Sequence, residues 1–182
     1  MHSSCRHQEE AMDLDQVDPG LFRRVMGRFA TGVAVITTAV ADDVHGMTAN
    51  AFMSASLSPP LCVVSIGKAA RMHAHLHAAG HYGVSFLNEE QQHLSTHFSG
   101  RRQGGVRPGF VFHGRTPVLE RAVGVLTAHV LATPDCGDHT LFVGRIRHME
   151  EAAHRPLLFF AGHYAAISRH QRIEEIEPPS FW

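Results

Sequence analysis

A run of small polar side chains in residues 46–60 is the part of this sequence best suited to hold a ligand. The run carries no charged residue across its fifteen positions. Its hydroxyl and amide side chains fall at even positions, namely Thr48, Asn50, Ser54, Ser56 and Ser58. The alternate residues, which would face the core, are Ala49, Ala51, Met53, Ala55 and Leu57. Because even positions share one face of an extended chain, the pattern predicts a row of neutral hydrogen-bonding groups.

Two interpretations of this row remain open. An ordinary strand could present it to water as a polar face. Such a face normally carries some Lys, Glu, Asp or Arg, and this one carries none. The composition therefore favours a surface for a flat polar ligand that approaches the backbone. Two apolar, β-branched runs, 33–38 and 61–66, flank the row and predict the strands that would position it.

Four segments resemble the flavin reductase-like family. They are residues 29–33 (FATGV), 46–52 (GMTANAF), 54–61 (SASLSPPL) and 137–144 (GDHTLFVG). Their order and spacing are similar to those of the family, and the resemblance covers about residues 18–167. The resemblance implies a mainly β fold with flanking helices: a six-stranded antiparallel split β-barrel of the FMN-binding type, usually a homodimer with flavin near the subunit interface.

The resemblance also implies an activity. The family contains the short-chain NAD(P)H:flavin oxidoreductases of two-component monooxygenases. We therefore expect NADH or NADPH to reduce FAD or FMN, and the reduced flavin to diffuse to a partner monooxygenase or halogenase. Two alternatives stay open: a flavin-binding electron carrier without turnover, and a non-catalytic partner subunit of a monooxygenase.

The resemblance assigns candidate roles to individual residues. The flavin would be lined by Thr31, Thr48, Ala49, Asn50, Ser54 and Ser56, with Ser65 and Ile66 near its ribityl chain. Lys68 and Arg71 would hold its phosphate, although Ala70 and Met72 stand where hydroxyls are expected. Both cations could equally be ordinary surface charge. The sequence has neither a Gly-x-Gly-x-x-Gly after a strand nor a Walker loop, so another device must hold the phosphates.

His139 follows Gly137 and Asp138 at the start of a predicted strand. By resemblance it is the catalytic-site residue on the nicotinamide side, with Tyr164 beside it. Its imidazole would orient the nicotinamide ring, since hydride transfer is the cofactors' own chemistry. The alternative is a turn histidine with Asp138 fixing the turn.

Histidines also raise the question of a metal. His73 and His77 are four apart on a predicted helix, a spacing that can bind zinc. Neither Glu nor Cys completes the motif, and His-Glu-x-x-His is missing. We therefore expect a solvated helix face that holds no metal.

The totals limit the function classes. The 182 residues suggest one domain, and a net charge of −1 gives no electrostatic case for a nucleic-acid or membrane partner. Three cysteines without a Cys-x-x-Cys pair favour a reducing, cytoplasmic setting. No apolar run approaches the length of a spanning helix, and the first ten residues lack a signal core.

The remaining patterns organise the chain into one domain, 18–167, between flexible tails at 1–17 and 168–182. Asp18 and Pro19 predict the start of a helix that ends near Gly32. A second helix over 69–79 should stop at Gly80, and Asn88 with Gln91 predicts a capping box before a third. The other segments predict strands joined mostly by short turns, as in a closed antiparallel sheet.

Overall fold

The computed structural model describes residues 17–41, 43–101 and 104–168. Its helices are α1 Pro19–Met26, α2 Arg71–Ala79 and α3 Gln92–Phe98, with a 3-10 turn at Glu89–Gln91 before α3. Its strands are β1 Thr31–Gly32, β2 Ala34–Val40, β3 Asp43–Ala49, β4 Phe52–Leu57, β5 Pro60–Gly67, β6 His81–Phe86, β7 Phe110–His113, β8 Thr116–Leu119, β9 Gly124–Ala132, β10 Asp135–Cys136, β11 His139–Glu151, β12 Leu158–Phe160 and β13 His163–Ala165. The predicted tails lie almost wholly outside the described residues.

One antiparallel sheet dominates the fold. Its strands follow the order β3-β2-β6-β9-β11-β5-β4, and β10 pairs with the start of β11. Two smaller sheets, β1-β12-β13 and the β7–β8 hairpin, flank it. The predicted mainly β, antiparallel architecture is confirmed. Among the described segments, no helix combines the length and apolarity needed to cross a membrane.

The short connection between β3 and β4 requires the sheet to curl. Strands β3 and β4 lie at opposite ends of the hydrogen-bonded order, yet only Asn50 and Ala51 separate them in sequence. The sheet must therefore curl until its two ends meet. We count seven strands along this path, because the run 46–57 forms parts of two strands and not one continuous strand.

The interruption also reverses which residues face inward, and this corrects the predicted alternation. Met47 and Ala49 of β3 pack against the main core, but so does Phe52 of β4. The side chains of Met53 and Leu57, predicted to be internal, are 57% and 73% exposed. The two residues between the strands change the phase of the pleat, and an irregularity between Ser54 and Ser56 disturbs it again.

Two apolar clusters hold the fold together. The first lies between the main sheet and α2, and includes Ile36, Val64, Leu76, Leu126 and Phe142. The second lies beneath α3, and includes Val33, Val35, Leu87, Leu94, Leu119 and Leu157. Consecutive residues at the start of β2 thus supply opposite clusters, as expected of a strand covered on both faces.

The helix boundaries follow the predicted caps in three of four cases. Asp18 accepts hydrogen bonds from the backbone of Gly20 and Leu21. Asn88 forms its capping box, and Gly80 ends α2 in the left-handed conformation with φ of 70°. Helix α1, however, ends at Met26 with Gly27 as its cap, well before Gly32. The apolar spacing beyond that point belongs to a turn and to β1.

Candidate functional site

The interruption between β3 and β4 lies beside the end of β5 and the start of β11. The backbone N–H of Ser65 donates to the carbonyl of Ala51 over 3.1 Å. Gly67 pairs with His139 across β5 and β11, and the N–H of Lys68 donates to the carbonyl of Asp138 over 2.9 Å. Asn50, the end of β5 and His139 therefore belong to one edge of the sheet, which we call the β5 edge.

At the β5 edge, the imidazole of His139 is oriented by its neighbour. Nδ1 lies 2.8 Å from the Oδ1 atom of Asp138, and this hydrogen bond holds the pKa of that carboxyl below its usual range. A Cβ built on Gly67 would lie 3.6 Å from Nε2, so the ring sits over bare backbone. The His139 side chain is 45% exposed. A fixed, accessible ring with one nitrogen uncommitted to Asp138 can orient a polar ligand.

The start of α2 offers positive charge next to this ring. Lys68 forms an ion pair with Asp135 over 3.3 Å, and Arg71 is exposed as the first residue of the helix. Ala70, at the N-cap, makes no side-chain cap bond. Free N–H groups at a helix N-terminus and nearby cations together favour an anion. Met72 stands where a hydroxyl was expected because its side chain is buried against the sheet.

The hydroxyl groups of other predicted site residues make hydrogen bonds within the fold or are buried. The Thr48 hydroxyl donates to the carbonyl of Ser95 over 2.7 Å, and the Ser95 hydroxyl lies 2.9 Å from the hydroxyl of Tyr164. This chain of hydrogen bonds attaches α3 to β3 and β13. Thr31 lies on β1, where its hydroxyl is buried and has no hydrogen-bond partner among the described residues. The hydroxyls of Thr48 and Tyr164 are thus engaged within the fold, and the hydroxyl of Thr31 is enclosed on β1.

The remaining predicted flavin-lining residues lie on or near β4 and β5 and differ in exposure. The side chain of Ile66 is fully buried in the main core, because it alternates with Cys62 and Val64 on the inner face of β5. Only the backbone of Ile66 is therefore available for its predicted place near the ribityl chain. Asn50 and Ser54 are exposed, whereas Ser56, Ser65 and Ala49 are half-buried.

A cleft of about 690 Å³, which the sequence analysis did not predict, shares Arg71 with this site. β3, α2, the end of α3 and the segment leading into β7 line it, with His45, Met47, His75, Phe98 and Phe110 among its residues. The rings of His45 and His75 stack at 3.6 Å. Burial lowers the pKa of His75, and the positive charges of His45 and Arg71 lower it further. A Cβ on Gly46 would lie 2.5 Å from the Phe98 ring, so Gly46 was the only local signal of this packing.

The groups at the β5 edge fit a flavin. A flavin needs donors and acceptors for its flat ring, and backbone groups or cations for its phosphate. The edge presents the Asn50 amide, the interruption after β3, the hydroxyls of β4, and the cations Lys68 and Arg71.

Comparison with known proteins agrees with this fit. A family model described as "Flavin reductase like domain" matches residues 26–168. The chain belongs to the flavin reductase-like family. An NADH-dependent flavin reductase from Rhodococcus sp is 42% identical over 163 residues, which cover 87% of this chain and 93% of that protein.

Solved structures of the flavin reductase-like family share the fold. The structure titled "Flavin reductase PheA2 in native state" has a TM-score of 0.82 at 42% identity, covering 84% of this chain and all of that one. The styrene monooxygenase flavin reductase from Pseudomonas putida S12 has a TM-score of 0.75 at 39% identity, covering 81% and 97%. The predicted family and split-barrel type are confirmed.

Proposed function

We propose that this chain is an NADH-dependent flavin reductase, in which NADH reduces FAD or FMN and the reduced flavin serves a partner oxygenase. The observation that carries the proposal is the β5 edge, where an oriented imidazole, an interrupted strand and two cations adjoin. The family membership and the names of the relatives support the same activity.

In this proposal each residue binds or orients and none performs the redox step. Asn50 and the neighbouring backbone bind the flat ring, while Lys68 and Arg71 hold the phosphate. His139, fixed by Asp138, orients the nicotinamide. When both are bound, the nicotinamide and the flavin supply the hydride chemistry themselves, provided that the protein stacks them within about 3–3.5 Å.

The neutral character of the site favours release of the product. Asn50 and the hydroxyls of β4 are neutral, and Lys68 forms an ion pair with Asp135. We expect flavin to bind at micromolar affinity, about −8 kcal/mol. Nanomolar binding would retain the product, because differences in affinity appear mainly in the dissociation rate. Reduced flavin would therefore reach the oxygenase by diffusion.

The activity is tested by following NADH oxidation with and without added FAD or FMN. Turnover that depends on added flavin is the expected result, and repeating the assay with NADPH and with each flavin determines the preferred pair. Flavin binding without turnover would instead identify an electron carrier. If the chain shows no flavin binding and no turnover, the proposal is refuted and a non-catalytic subunit is left.

The mode of transfer needs a second experiment. The reductase and a flavin-dependent oxygenase are placed on opposite sides of a dialysis membrane under low oxygen, with NADH and flavin supplied. Product from the separated oxygenase is expected. Product formed only when both proteins share a compartment would contradict diffusion and indicate transfer within a complex.

We also propose that the chain is a homodimer. Helix α1 has no buried residue, and Leu21, Phe22, Val25 and Met26 are about half exposed. A second copy would remove this apolar surface from water.

Cys62 and Cys136 are free thiols, which is compatible with the cytoplasmic setting that we propose.

A further inference from the structure

Three side chains with metal-binding atoms meet at the end of β11 that lies away from His139. His148 and Glu150 come from β11, and His113 is the last residue of β7. The Oε1 atom of Glu150 lies 2.7 Å from Nε2 of His148 and 3.7 Å from Nε2 of His113. All three potential ligand atoms lie within 4.8 Å of one another.

The strand geometry explains why these groups converge. His148 and Glu150 are two residues apart, so they project from the same face of β11. The β7–β8 hairpin places His113 over that face, and its ring stacks on His148 with centroids 3.8 Å apart. The Nε2 atoms of both rings therefore lie near the Glu150 carboxylate.

One nitrogen of the cluster has no hydrogen-bond partner among the described residues. Nε2 of His113 is buried and makes no hydrogen bond within the described part of the chain. The His113 side chain is 20% exposed, and the carboxylate at 3.7 Å is too far for a hydrogen bond. A buried nitrogen without a partner is unusual in native proteins, and a bound ion is one way to satisfy it.

We propose that His113, His148 and Glu150 bind one divalent transition-metal ion of the zinc class. Two imidazole nitrogens and a carboxylate oxygen form a ligand set typical of zinc. With metal–ligand bonds of about 2.0–2.1 Å, tetrahedral ligands lie roughly 3.3–3.4 Å apart. The observed separations of 2.7 and 3.7 Å lie on either side of that value and the remaining pair lies within 4.8 Å, so the side chains must rearrange for all three atoms to bind one ion. Water would take the fourth position, because Glu150 is exposed.

The other histidine pairs of the described residues are less suitable. His73 and His77 pack edge to face at 4.7 Å, and Nε2 of His73 lies 2.9 Å from the Thr140 hydroxyl. His45 and His75 stack without a third ligand: among the described residues, only the cluster of His113 unites three potential ligands. His73 and His77, whose helical spacing suggested zinc in the sequence, are therefore the less suitable zinc ligands.

The proposed metal site is separate from the β5 edge. Eight residues of β11 lie between His139 and His148, and these nine steps span about 30 Å at the usual strand rise. The ion would join the β7–β8 hairpin to the main sheet. We therefore expect Zn²⁺ to stabilise the fold and to leave flavin binding unchanged.

The test is a calorimetric titration of the full, untagged chain with Zn²⁺, followed by Co²⁺ to report the ligand geometry by its visible spectrum. One Zn²⁺ per chain and a raised Tm are expected. His148→Ala should weaken Zn²⁺ binding by about tenfold or more, since even loss of an outer-shell partner costs about 10- to 100-fold. Glu150→Gln tests the carboxylate with little change in shape and should also weaken binding.

His77→Ala is the matched control, because it removes an exposed histidine outside the cluster. It should bind Zn²⁺ as the parent chain does. Circular dichroism of His148→Ala and Glu150→Gln checks that both variants remain folded. The proposal is overturned if the parent chain binds no Zn²⁺, if folded His148→Ala and Glu150→Gln both bind it unchanged, or if only His77→Ala loses it.

Discussion

Replacing His139 with Ala tests the proposed division of the site into a nicotinamide side and a flavin side. The variant removes the ring that Asp138 holds over Gly67 and leaves both cations and Asn50 in place. A single neutral hydrogen bond contributes about 0.5–1.5 kcal/mol net. The KM for NADH should therefore rise about two- to twelvefold. We place the value within this modest range because the side chain is 45% exposed, so water can replace part of the contact.

The assay measures the KM for NADH at saturating flavin, and flavin affinity by fluorescence quenching. Flavin affinity should change less than the KM. His93→Ala is the control, since His93 is an exposed histidine that interacts with the carbonyl of Glu90 on the α3 side. Equal losses for both ligands would refute the reasoning, as would a KM equal to that of the control.

Three further predictions concern the ligand face, the assembly and the thiols. Asn50→Leu should retain the fold, because residue 50 is exposed, but should weaken flavin binding about five- to 150-fold through loss of roughly 1–3 kcal/mol; unchanged fluorescence quenching would move the ligand elsewhere. Light scattering at micromolar concentration should give twice the 20.0 kDa chain mass, and a monomer throughout would contradict the homodimer. A thiol reagent near pH 8 should modify exposed Cys136 well before Cys62, because burial raises the pKa of the Cys62 thiol and keeps it protonated at that pH; equal rates by peptide mapping would contradict this.

Local chemistry explains which parts of the fold were predictable. The caps at Asp18, Asn88 and Gly80 depend on residues close in sequence, and all three formed as predicted. The family motifs likewise identified the split barrel. The same motifs singled out Asn50, Ser65 and His139, which the structure places at the β5 edge.

The errors arose where distant segments decide the structure. Nothing local marks the interruption at Asn50, which follows from curling a seven-stranded sheet until its ends meet. The contacts of Ser95 with the hydroxyl groups of Thr48 and Tyr164 join three distant segments, so no local pattern predicts them. The three residues of the proposed metal site are drawn from two hairpins, so no spacing motif could have revealed them.

The strand order has a consequence for synthesis on the ribosome. After β6 has emerged, the pairs already available form two separate pieces, β3-β2-β6 and β5-β4. Only β9 and β11 can bridge them, by pairing with β6 and β5, and β11 ends at residue 151. Until then the edges of β6 and β5 that these strands will cover stay unpaired. Both edges are rich in apolar residues and open to association with other chains. Because contacts this distant in sequence form slowly, a chain truncated before β11 should be caught by chaperones or aggregate.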